Sequence, residues 1–428
     1  MMDLVNSREY ALLTDENDKL KKFRDKFFIP EINGKKAIYF CGNSLGLQPV
    51  TVKDSVMQEL NDWAKYGVEG HFKAKNPWFS YHEIFSEPVA RIVGALPGEI
   101  TVMNQLTVNL HLLMVSFYSP DKKRYKIICE AKAFPSDQYT LESQVKYHGF
   151  DPEDAIIEVK PREGEYLIRN EDIISSIEKA GESLALVMIG GVNYYTGQLF
   201  NLEEITKAAH KVGALAGFDL AHAAGNVKLK LHDWKVDFAC WCSYKYLNSG
   251  PGGVAGIYIY EKHTKNKSLL RFAGWWGHDK NIRFLMEKGF IPIESAEGWQ
   301  LSNAPVLSMA AHKASVAIFD EAGMDALVEK SEKLTAYLEL VIEDLNRLIG
   351  DESKLEIISP KDKKSRGCQL SVIAHGKGKE LYHEISRQGV IADWREPNVI
   401  RIAPVPLYNS FEDIWMFGEI LKKTISNS

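Results

Sequence analysis

Cysteine is scarce in this sequence, and its few positions exclude the protein classes that depend on it. The chain has 428 residues and five cysteines, namely Cys41, Cys129, Cys240, Cys242 and Cys368. Their number is odd, and their spacing matches neither a zinc site nor a disulfide framework. We therefore predict no metal site, reduced thiols and a cytoplasmic location.

Long apolar runs and a strong charge imbalance are also missing. No run has the length of a transmembrane helix, and residues 1–22 lack the apolar core of a signal peptide. The net charge is −5, which gives no general attraction for nucleic acid or an anionic membrane. The sequence thus predicts a protein that binds neither nucleic acid nor membrane.

From about residue 80 onward, stretches with helical spacing of apolar residues alternate with short apolar runs typical of strands. The predicted helices are 81–94, 106–118, 136–148, 170–180 and 202–212, and the predicted strands are 100–103, 125–129, 155–159, 184–189, 215–219, 238–241 and 256–259. Strands separated by helices predict an α/β fold with a mostly parallel, seven-stranded sheet. Ligands of such sheets bind beyond the carboxyl ends of the strands.

The pattern differs on either side of this region, and we predict three parts. Residues 1–50 form an arm that packs with a small domain, 51–304 form a large ligand-binding domain, and 305–428 form a linking helix and the small α+β domain. In the large domain, a helix over 51–66 is followed by a loop at 66–72. In the last part, the predicted elements are a helical region over 305–349, strands at 355–359 and 368–373, a helix at 378–388, strands at 390–394 and 398–403, and a helix at 411–426.

Lys245 is the residue around which we interpret the rest of the chain. It lies between Tyr244 and Tyr246, aromatic neighbours that suit a surface charge poorly. A free lysine amine has a pKa of about 10.4 and is a poor nucleophile at neutral pH, whereas a partly desolvated amine can form an imine with a carbonyl compound. An ordinary surface lysine is the simpler alternative.

Asp219 ends an apolar strand, where an unpaired carboxylate is costly. It can be the counter-charge of a pyridinium nitrogen, or the N-cap of a helix that begins at Ala221. His222 can face the same cleft or be a core histidine. An acid that holds a ring nitrogen and a lysine that forms an imine are the two groups that pyridoxal 5′-phosphate chemistry needs.

Leu106 and Thr107 open a predicted helix directly after the strand at 100–103. Free N–H groups, a hydroxyl and the helix dipole make such a position suitable for a phosphate group. Thr107 can equally be only an N-cap.

The next such junction follows the strand at 125–129. Phe134 can stack on an aromatic cofactor there, and Asp137 can reach the polar edge of its ring. The alternative is an ordinary strand-to-helix turn in which Ser136 or Asp137 caps the helix.

Two further features suggest contacts with a ligand or a partner. Trp275 belongs to a glycine-flanked aromatic pair, which suits an aromatic ligand or a dimer contact. Arg401 lies inside an apolar strand and needs a partner. That partner can be a substrate carboxylate or a structural ion pair.

Taken together, these stretches resemble the kynureninase family. The resemblance runs from 42–49 to 401–409, and it is most specific where 243–248, 133–137, 195–198 and 274–278 occur in one chain. It implies the fold type I of pyridoxal-phosphate enzymes, as in aspartate aminotransferase, and a homodimer with active sites at the interface. It also implies hydrolysis of L-kynurenine or 3-hydroxy-L-kynurenine, in tryptophan degradation or NAD biosynthesis, to anthranilate or 3-hydroxyanthranilate plus L-alanine.

The resemblance also implies a role for each matching residue. Lys245 binds the cofactor, Asp219 pairs with its ring nitrogen, and Tyr244 lies beside it as our candidate for proton transfer. The other positions implied around the cofactor are Leu106, Thr107, Phe134, Pro135, Ser136, Asp137, Gly190, His222, Trp275 and Asn303. Those implied around the substrate are Ser44, His71, Asn303 and Arg401.

Four of these positions carry a further expectation. Trp275 is expected to come from the partner chain. Where relatives carry a serine before Gly191, this chain has Gly190, so only a backbone contact is expected there. His71 and Asn303 resemble the members that favour the 3-hydroxylated substrate.

Other functions on the same fold remain as alternatives. A cysteine desulfurase needs a reactive cysteine on a mobile loop, and Cys368 is the candidate, although its neighbours predict the start of a strand. A small aminotransferase is the other enzyme alternative. A non-catalytic binding module is a remote one, since Lys245 and Asp219 are both present and no basic arm is attached.

Overall fold

The computed structural model describes residues 4–350 and 353–426, which fall into two compact units. The sheet unit comprises Val52–Gly191 and Phe200–Asp320. The terminal unit comprises the described residues of Met1–Thr51, Val192–Leu199 and Glu321–Ser428. The domain division at residues 50 and 304 stays a prediction.

The sheet unit is built on a seven-stranded, mostly parallel sheet, as the sequence predicts. Its strands lie in the order Ile100–Val102, Gly256–Ile259, Phe238–Trp241, Leu215–Asp219, Leu184–Gly190, Lys126–Glu130 and Ile156–Val159. Gly256–Ile259 runs antiparallel to both neighbours, and the other adjacent pairs are parallel. All seven residues of Leu184–Gly190 are buried, which explains its continuous apolar sequence.

Helices surround this sheet, and the longer ones lie at the predicted places, whereas the short helices Gly70–Lys73, Pro152–Ala155 and Glu261–Thr264 were not predicted. They are Val52–Tyr66, Gly70–Lys73, Ser86–Val93, Leu106–Phe117, Pro135–Tyr147, Pro152–Ala155, Asn170–Ala180, Leu202–Lys211, Glu261–Thr264 and Val306–Ala322, whose last two residues belong to the terminal unit. The predicted helix 81–94 begins as the 3-10 helix Trp78–Phe85. In the core, Phe117 stacks on Phe238 with 4.6 Å between ring centroids. The helix Leu106–Phe117 therefore packs directly on the sheet.

The predicted loop at 66–72 is wrong. Gly67 has a φ of 53°, which ends the helix Val52–Tyr66, but the chain then continues as the 3-10 helix Gly67–Glu69 and the helix Gly70–Lys73. A Cβ at Gly70 would lie 2.3 Å from the ring of Trp78. The glycine is therefore required by close packing, and the sequence suggested a turn instead.

The terminal unit has an antiparallel sheet in the order Leu355–Ile357, Leu370–Ala374, Val399–Ile402 and Asp393–Arg395. Its helices are Arg8–Glu16, Met324–Asn346, Gly378–Arg387 and Phe411–Ser426, and Glu31–Ile32 pairs with Lys35–Lys36. The single strand predicted at 390–394 is wrong, because Val390–Ile391 pairs in parallel with Ile38–Tyr39 and only Asp393–Arg395 joins the larger sheet.

Side chains near the amino terminus hold the last helix of the same unit. The Asp15 carboxylate accepts hydrogen bonds from the backbone N–H groups of Phe411 (2.8 Å) and Glu412 (2.9 Å). Arg24 forms a two-pronged ion pair with Asp413 at 2.6 and 3.0 Å. The two ends of the chain therefore fold together.

Within residues 4–350 and 353–426, no helix combines the length and apolar character that crossing a bilayer requires.

Candidate active site

Lys245 lies in a tight turn after the strand Phe238–Trp241. Its carbonyl accepts from the N–H of Asn248 at 3.0 Å, and the N–H of Ser249 donates to the carbonyl of Ser243 at 3.0 Å. Asn248 has a φ of 53°, a conformation that asparagine tolerates better than most residues. The turn therefore fixes the backbone on both sides of Lys245.

The Lys245 side chain is buried among candidate cofactor residues. It is 9% exposed, and Nζ lies 3.0 Å from Nε2 of His222 and 5.5 Å from the ring centroid of Phe134. The structure thus brings these lysine, histidine and phenylalanine side chains together. The surface-lysine alternative does not fit this burial.

Asp219 and Asp137 form a buried acid pair. Burial and the negative charge of Asp219 raise the pKa of Asp137 well above its usual range, so Asp137 holds a proton and donates to Asp219. Burial also raises the pKa of Asp219, but the Lys245 ammonium and the N–H of Ala221 oppose the rise. Asp219 is therefore the ionised member of the pair.

The N-cap alternative for Asp219 is partly correct. Its Oδ1 accepts from the N–H of Ala221 at 2.7 Å, but residues 221–226 form turns rather than a helix. One carboxylate thus both fixes the turn and contacts Asp137.

The capping alternatives for the two junction helices are wrong. Gln105 is the N-cap of Leu106–Phe117 and Phe134 that of Pro135–Tyr147, and neither makes a side-chain cap hydrogen bond. Thr107, Ser136 and Asp137 therefore lie in the first turns, and the Asp137 N–H already donates to the carbonyl of Phe134 at 2.8 Å. Both helix starts follow strand ends of the sheet, as expected for a phosphate site.

Tyr244, next to Lys245, is half-buried and hydrogen-bonds Cys242. Burial, together with the neighbouring thiol of Cys242, raises the pKa of Tyr244, so the phenol stays protonated across the physiological range. A protonated phenol beside a reactive amine can donate a proton.

Other predicted residues of the sheet unit lie on more exposed elements. Asn303 lines a pocket of about 220 Å³ with Gln105, directly before Leu106. Trp275 lines a pocket of about 380 Å³, and its indole N–H donates to the carbonyl of Arg283 at 3.0 Å. The His71 Nδ1 atom lies 2.9 Å from the carbonyl of Val68.

Ser44 and Arg401 belong to the terminal unit. Ser44 hydrogen-bonds the Cys41 thiol. Arg401, 1% exposed, donates to the carbonyl of Tyr194 at 2.8 Å and forms an ion pair with Asp393. The structural ion pair considered for Arg401 is therefore present.

Glu130 is an acid of the cleft to which the sequence analysis gave no role. It is 4% exposed and ends the strand Lys126–Glu130. Gly190, predicted as a cofactor contact, donates its N–H to the two oxygens of Glu130 at 3.1 and 3.2 Å. A carboxylate at the end of an apolar strand, as at Asp219, was the signal that could have identified it.

His82, Glu83 and Glu297 bring three potential metal ligands within 4.8 Å of one another. The ammonium group of Lys280 already contacts Glu83 at 2.7 Å and Glu297 at 2.8 Å. An ion-pair network therefore accounts for this cluster.

The donor set fits pyridoxal 5′-phosphate. Oδ1 of Asp137 is buried and has no hydrogen-bond partner among the described residues, and the adjacent Asp219 is ionised beside an amine. The protonated ring nitrogen of the cofactor would give this acid pair a positively charged hydrogen-bond donor. Phe134 offers an aromatic face for the ring, and Lys245 offers an amine for the aldehyde.

Relatives in sequence cover nearly the whole chain. A family model described as the kynureninase C-terminal domain matches residues 327–421. A protein named kynureninase from Christiangramia forsetii is 58% identical to this chain, over 99% of each sequence. One from Myxococcus xanthus is 52% identical, over 97% of each sequence. One from Nematostella vectensis is 48% identical, over 99% of this chain and 96% of its own.

Solved structures with the same fold are more distant in sequence. A cysteine desulfurase from Escherichia coli has a TM-score of 0.76 at 14% identity, over 96% of this chain and 99% of its own. One from Thermococcus onnurineus has a TM-score of 0.74 at 18% identity, over 92% and 95%. The predicted fold type I of pyridoxal-phosphate enzymes is thereby confirmed.

Proposed function

The chain belongs to the kynureninase family, and from this we propose that it hydrolyses L-kynurenine or 3-hydroxy-L-kynurenine. The bond cleaved is Cβ–Cγ, and the products are anthranilate or 3-hydroxyanthranilate and L-alanine. The observation that carries the proposal is the buried amine of Lys245 beside Phe134 and the Asp137–Asp219 pair. The expected roles are degradation of tryptophan and supply of NAD precursors.

Pyridoxal 5′-phosphate, when bound, supplies an electron sink for the bonds at the substrate α-carbon. In our proposal Lys245 holds the cofactor and, once released, takes the proton from the α-carbon. His222, 3.0 Å from Nζ, orients this amine. Asp219, ionised, holds the proton on the ring nitrogen, and Asp137 keeps Asp219 in place.

Proton transfer at the γ-carbonyl is assigned to Tyr244. The phenol stays protonated because burial raises its pKa. It can therefore give a proton to the carbonyl oxygen as water adds to the carbon. Tyr244→Phe should lower kcat without a matching loss of cofactor, since the ring is retained.

The next assignments concern the phosphate group of the cofactor and the rest of its binding site. The first turn at Leu106 supports phosphate binding through its backbone N–H groups, and the turn after Pro135 offers the N–H of Ser136. Thr107 and Ser136 add hydroxyls. Trp275, Asn303 and the Gly190 backbone complete the proposed cofactor shell.

Arg401 is proposed for the substrate carboxylate, which must share the guanidinium with Asp393. Ser44, His71 and Asn303 are proposed for the aryl end. His71 and Asn303 support a preference for the 3-hydroxylated substrate, because each offers a polar group that can hydrogen-bond the extra hydroxyl.

We also propose a homodimer with Trp275 contributed by the partner, and a cytoplasmic location. Exposed aromatic residues support the dimer: Phe72, Phe284 and Trp275 are 64%, 51% and 43% exposed. Phe79 links two of them, with ring centroids 5.9 Å from Phe72 and 5.7 Å from Phe284. The five cysteines are free thiols, which suits a reducing compartment.

The test is turnover by the purified protein with added pyridoxal phosphate. We expect a yellow protein that converts either kynurenine to the aryl acid and alanine, and the ratio of the two rates measures the preference. Lys245→Ala should lower kcat by on the order of 10³-fold or more, because no other amine replaces it. Lys207→Ala, which removes an exposed lysine that forms an ion pair with Glu203, is the matched control.

Appreciable multiple turnover by Lys245→Ala would contradict the assignment. Release of sulfide and alanine from L-cysteine, without turnover of either kynurenine, would favour the desulfurase alternative. Cys368 is 0% exposed, which does not suit a cysteine that must reach substrate on a mobile loop.

A further inference from the structure

Glu130 is tied to Asp219 through two backbone segments. Its oxygens accept from Gly190 N–H, and Gly190 pairs in register with Asp219 on the neighbouring strand. The N–H of Gly191 then donates to the carbonyl of Asp219 at 2.6 Å. The Glu130 side chain therefore holds the strand end to which Asp219 is attached.

The Gly191 segment has little freedom to adjust. A Cβ at Gly191 would lie 2.7 Å from Cδ2 of Leu220 and 3.0 Å from Cβ of Ala223. This backbone is packed against the turn that follows Asp219, so a displacement at Gly190 is passed to Asp219.

The cleft holds more carboxyl groups than facing cations. Glu130, Asp137 and Asp219 are 4%, 6% and 7% exposed, and Lys245 is the ammonium group that acts on the two aspartates. Burial raises the pKa of Glu130 to about 7, with the hydrogen bond from Gly190 opposing and the charge of Asp219 adding to the rise. Glu130 therefore changes charge near neutral pH.

The remaining titratable groups that face the cluster do not compensate. Burial raises the pKa of the neighbouring thiols and of one phenol, which are therefore neutral, namely Cys129, Cys240, Cys242 and Tyr244. His222 already contacts the Lys245 amine. A change of charge at Glu130 consequently changes the electrostatic potential at Asp219 and Asp137.

We propose that Glu130 is a positioning residue for the cofactor, which fixes Asp219 through Gly190 and sets the charge of the carboxyl cluster by holding or releasing one proton. Ionised Glu130 adds a second negative charge near the ring nitrogen, which favours the protonated ring. Neutral Glu130 leaves Asp219 as the charged acid. The proposal rests on the proposed function only in taking pyridoxal 5′-phosphate as the ligand.

The experiment compares dissociation constants for pyridoxal phosphate in the wild type and Glu130→Gln, from about pH 5.5 to about pH 8.5. Glutamine imitates the neutral acid, so the two proteins should bind alike at the acid end. Above about pH 7 the wild type should bind about threefold to tenfold more tightly, since one pKa unit of coupling is a factor of ten. In the wild type, the absorption spectrum of the bound cofactor should change with pH around the same midpoint as the affinity. In the variant this change should be absent.

Glu158→Gln is the control, because Glu158 is an exposed carboxylate on the adjacent strand Ile156–Val159. A wild-type-to-variant ratio that does not change with pH, or the same pH effect in Glu158→Gln, overturns the proposal. Infrared difference spectra of the wild-type apo-protein supply a second test that needs no variant. They should show a buried carboxyl group ionising near pH 7, and its absence also overturns the proposal.

The outcomes separate this inference from the proposed function. Cofactor affinity is measured without turnover, so a protein that binds pyridoxal phosphate with the expected pH dependence but cleaves neither kynurenine supports Glu130 and rejects the proposed reaction. A wild-type protein that binds no pyridoxal phosphate rejects both.

Discussion

Two aspartates that share one proton should respond differently to the same substitution. Asp219→Asn removes the ionised acceptor, so we expect weaker cofactor binding and a loss of kcat of about 10²-fold or more. Asp137→Asn keeps a neutral donor toward Asp219 and should cost less than about tenfold. Cofactor titrations and initial rates measure both.

Asp233→Asn serves as the control for this comparison, because Asp233 is exposed on the surface. Equal losses in the two site variants would contradict the assignment of the shared proton to Asp137. The sequence pointed to both acids, but their protonation states depend on burial and on Lys245, which only the folded chain defines.

Asp237 should make stability depend on acid pH. It is buried, which opposes ionisation, but hydrogen bonds from His210 and His263, both 2.7 Å long, lower its pKa to about 2. The unfolded value is about 3.9, so the contribution is complete above about pH 4 and is lost as the pH falls toward 2. Its size is about 2 to 3 kcal/mol.

Urea unfolding of the wild type and Asp237→Asn checks this expectation. The variant should be less stable near neutral pH, and the gap between the two midpoints should narrow as the pH is lowered from about 4 toward 2. A gap that stays constant over this range would show that the carboxylate charge is not the cause.

At the scale of elements, local pattern predicted most of the fold. Buried strands such as Leu184–Gly190 appear as apolar runs, and the closing helix Phe411–Ser426 has the bounds predicted for it. Two mispredicted segments show where local pattern fails. The helix Gly70–Lys73 replaces a predicted loop, and its glycine packs against the ring of Trp78. The strand predicted at 390–394 is divided in two, because Val390–Ile391 pairs with Ile38–Tyr39. Both involve partners distant in sequence, which periodicity does not detect.

The helix Phe411–Ser426 provides a prediction at this scale. Its first N–H groups are satisfied by Asp15, which lies on the helix Arg8–Glu16 rather than before the helix that it caps. Asp15→Ala should lower the free energy of unfolding by about 1 to 2 kcal/mol, as the loss of an N-cap does.

Glu16→Ala is the matched control, because Glu16 is exposed on the same helix. Thermal or urea unfolding followed by circular dichroism measures both variants. If Glu16→Ala costs as much as Asp15→Ala, the effect belongs to the helix Arg8–Glu16 and not to the cap.

At the scale of the whole molecule, the sequence suggested where the elements are but not how distant segments combine. The terminal unit draws on both ends of the chain and on Val192–Leu199, a short piece from the middle. Nothing in the local pattern of that piece distinguishes it from an ordinary loop of the larger unit. The same limit applies to Ser44, whose proposed role came from the resemblance, and to Arg401, for which the strand pattern left a substrate carboxylate and a structural ion pair both open.

The proposed homodimer predicts an effect of charge on the exposed aromatic cluster. Phe284→Asp should raise the dimer dissociation constant by about tenfold or more, because it places a carboxylate in an apolar contact. Leu348→Asp is the control, since Leu348 is 69% exposed and belongs to the terminal unit. Sedimentation velocity over a range of concentrations measures both, and unchanged association of Phe284→Asp would contradict this location of the interface.

The ion pair of Arg24 with Asp413 and the cap of Asp15 on Phe411–Ser426 have a consequence for biosynthesis. Asp15 and Arg24 are translated long before their partners in Phe411–Ser426. The sheet unit, Val52–Gly191 and Phe200–Asp320, lies between them in the sequence and is therefore made before these contacts can form. A chain truncated before Phe411 would leave both side chains without the helix that they hold.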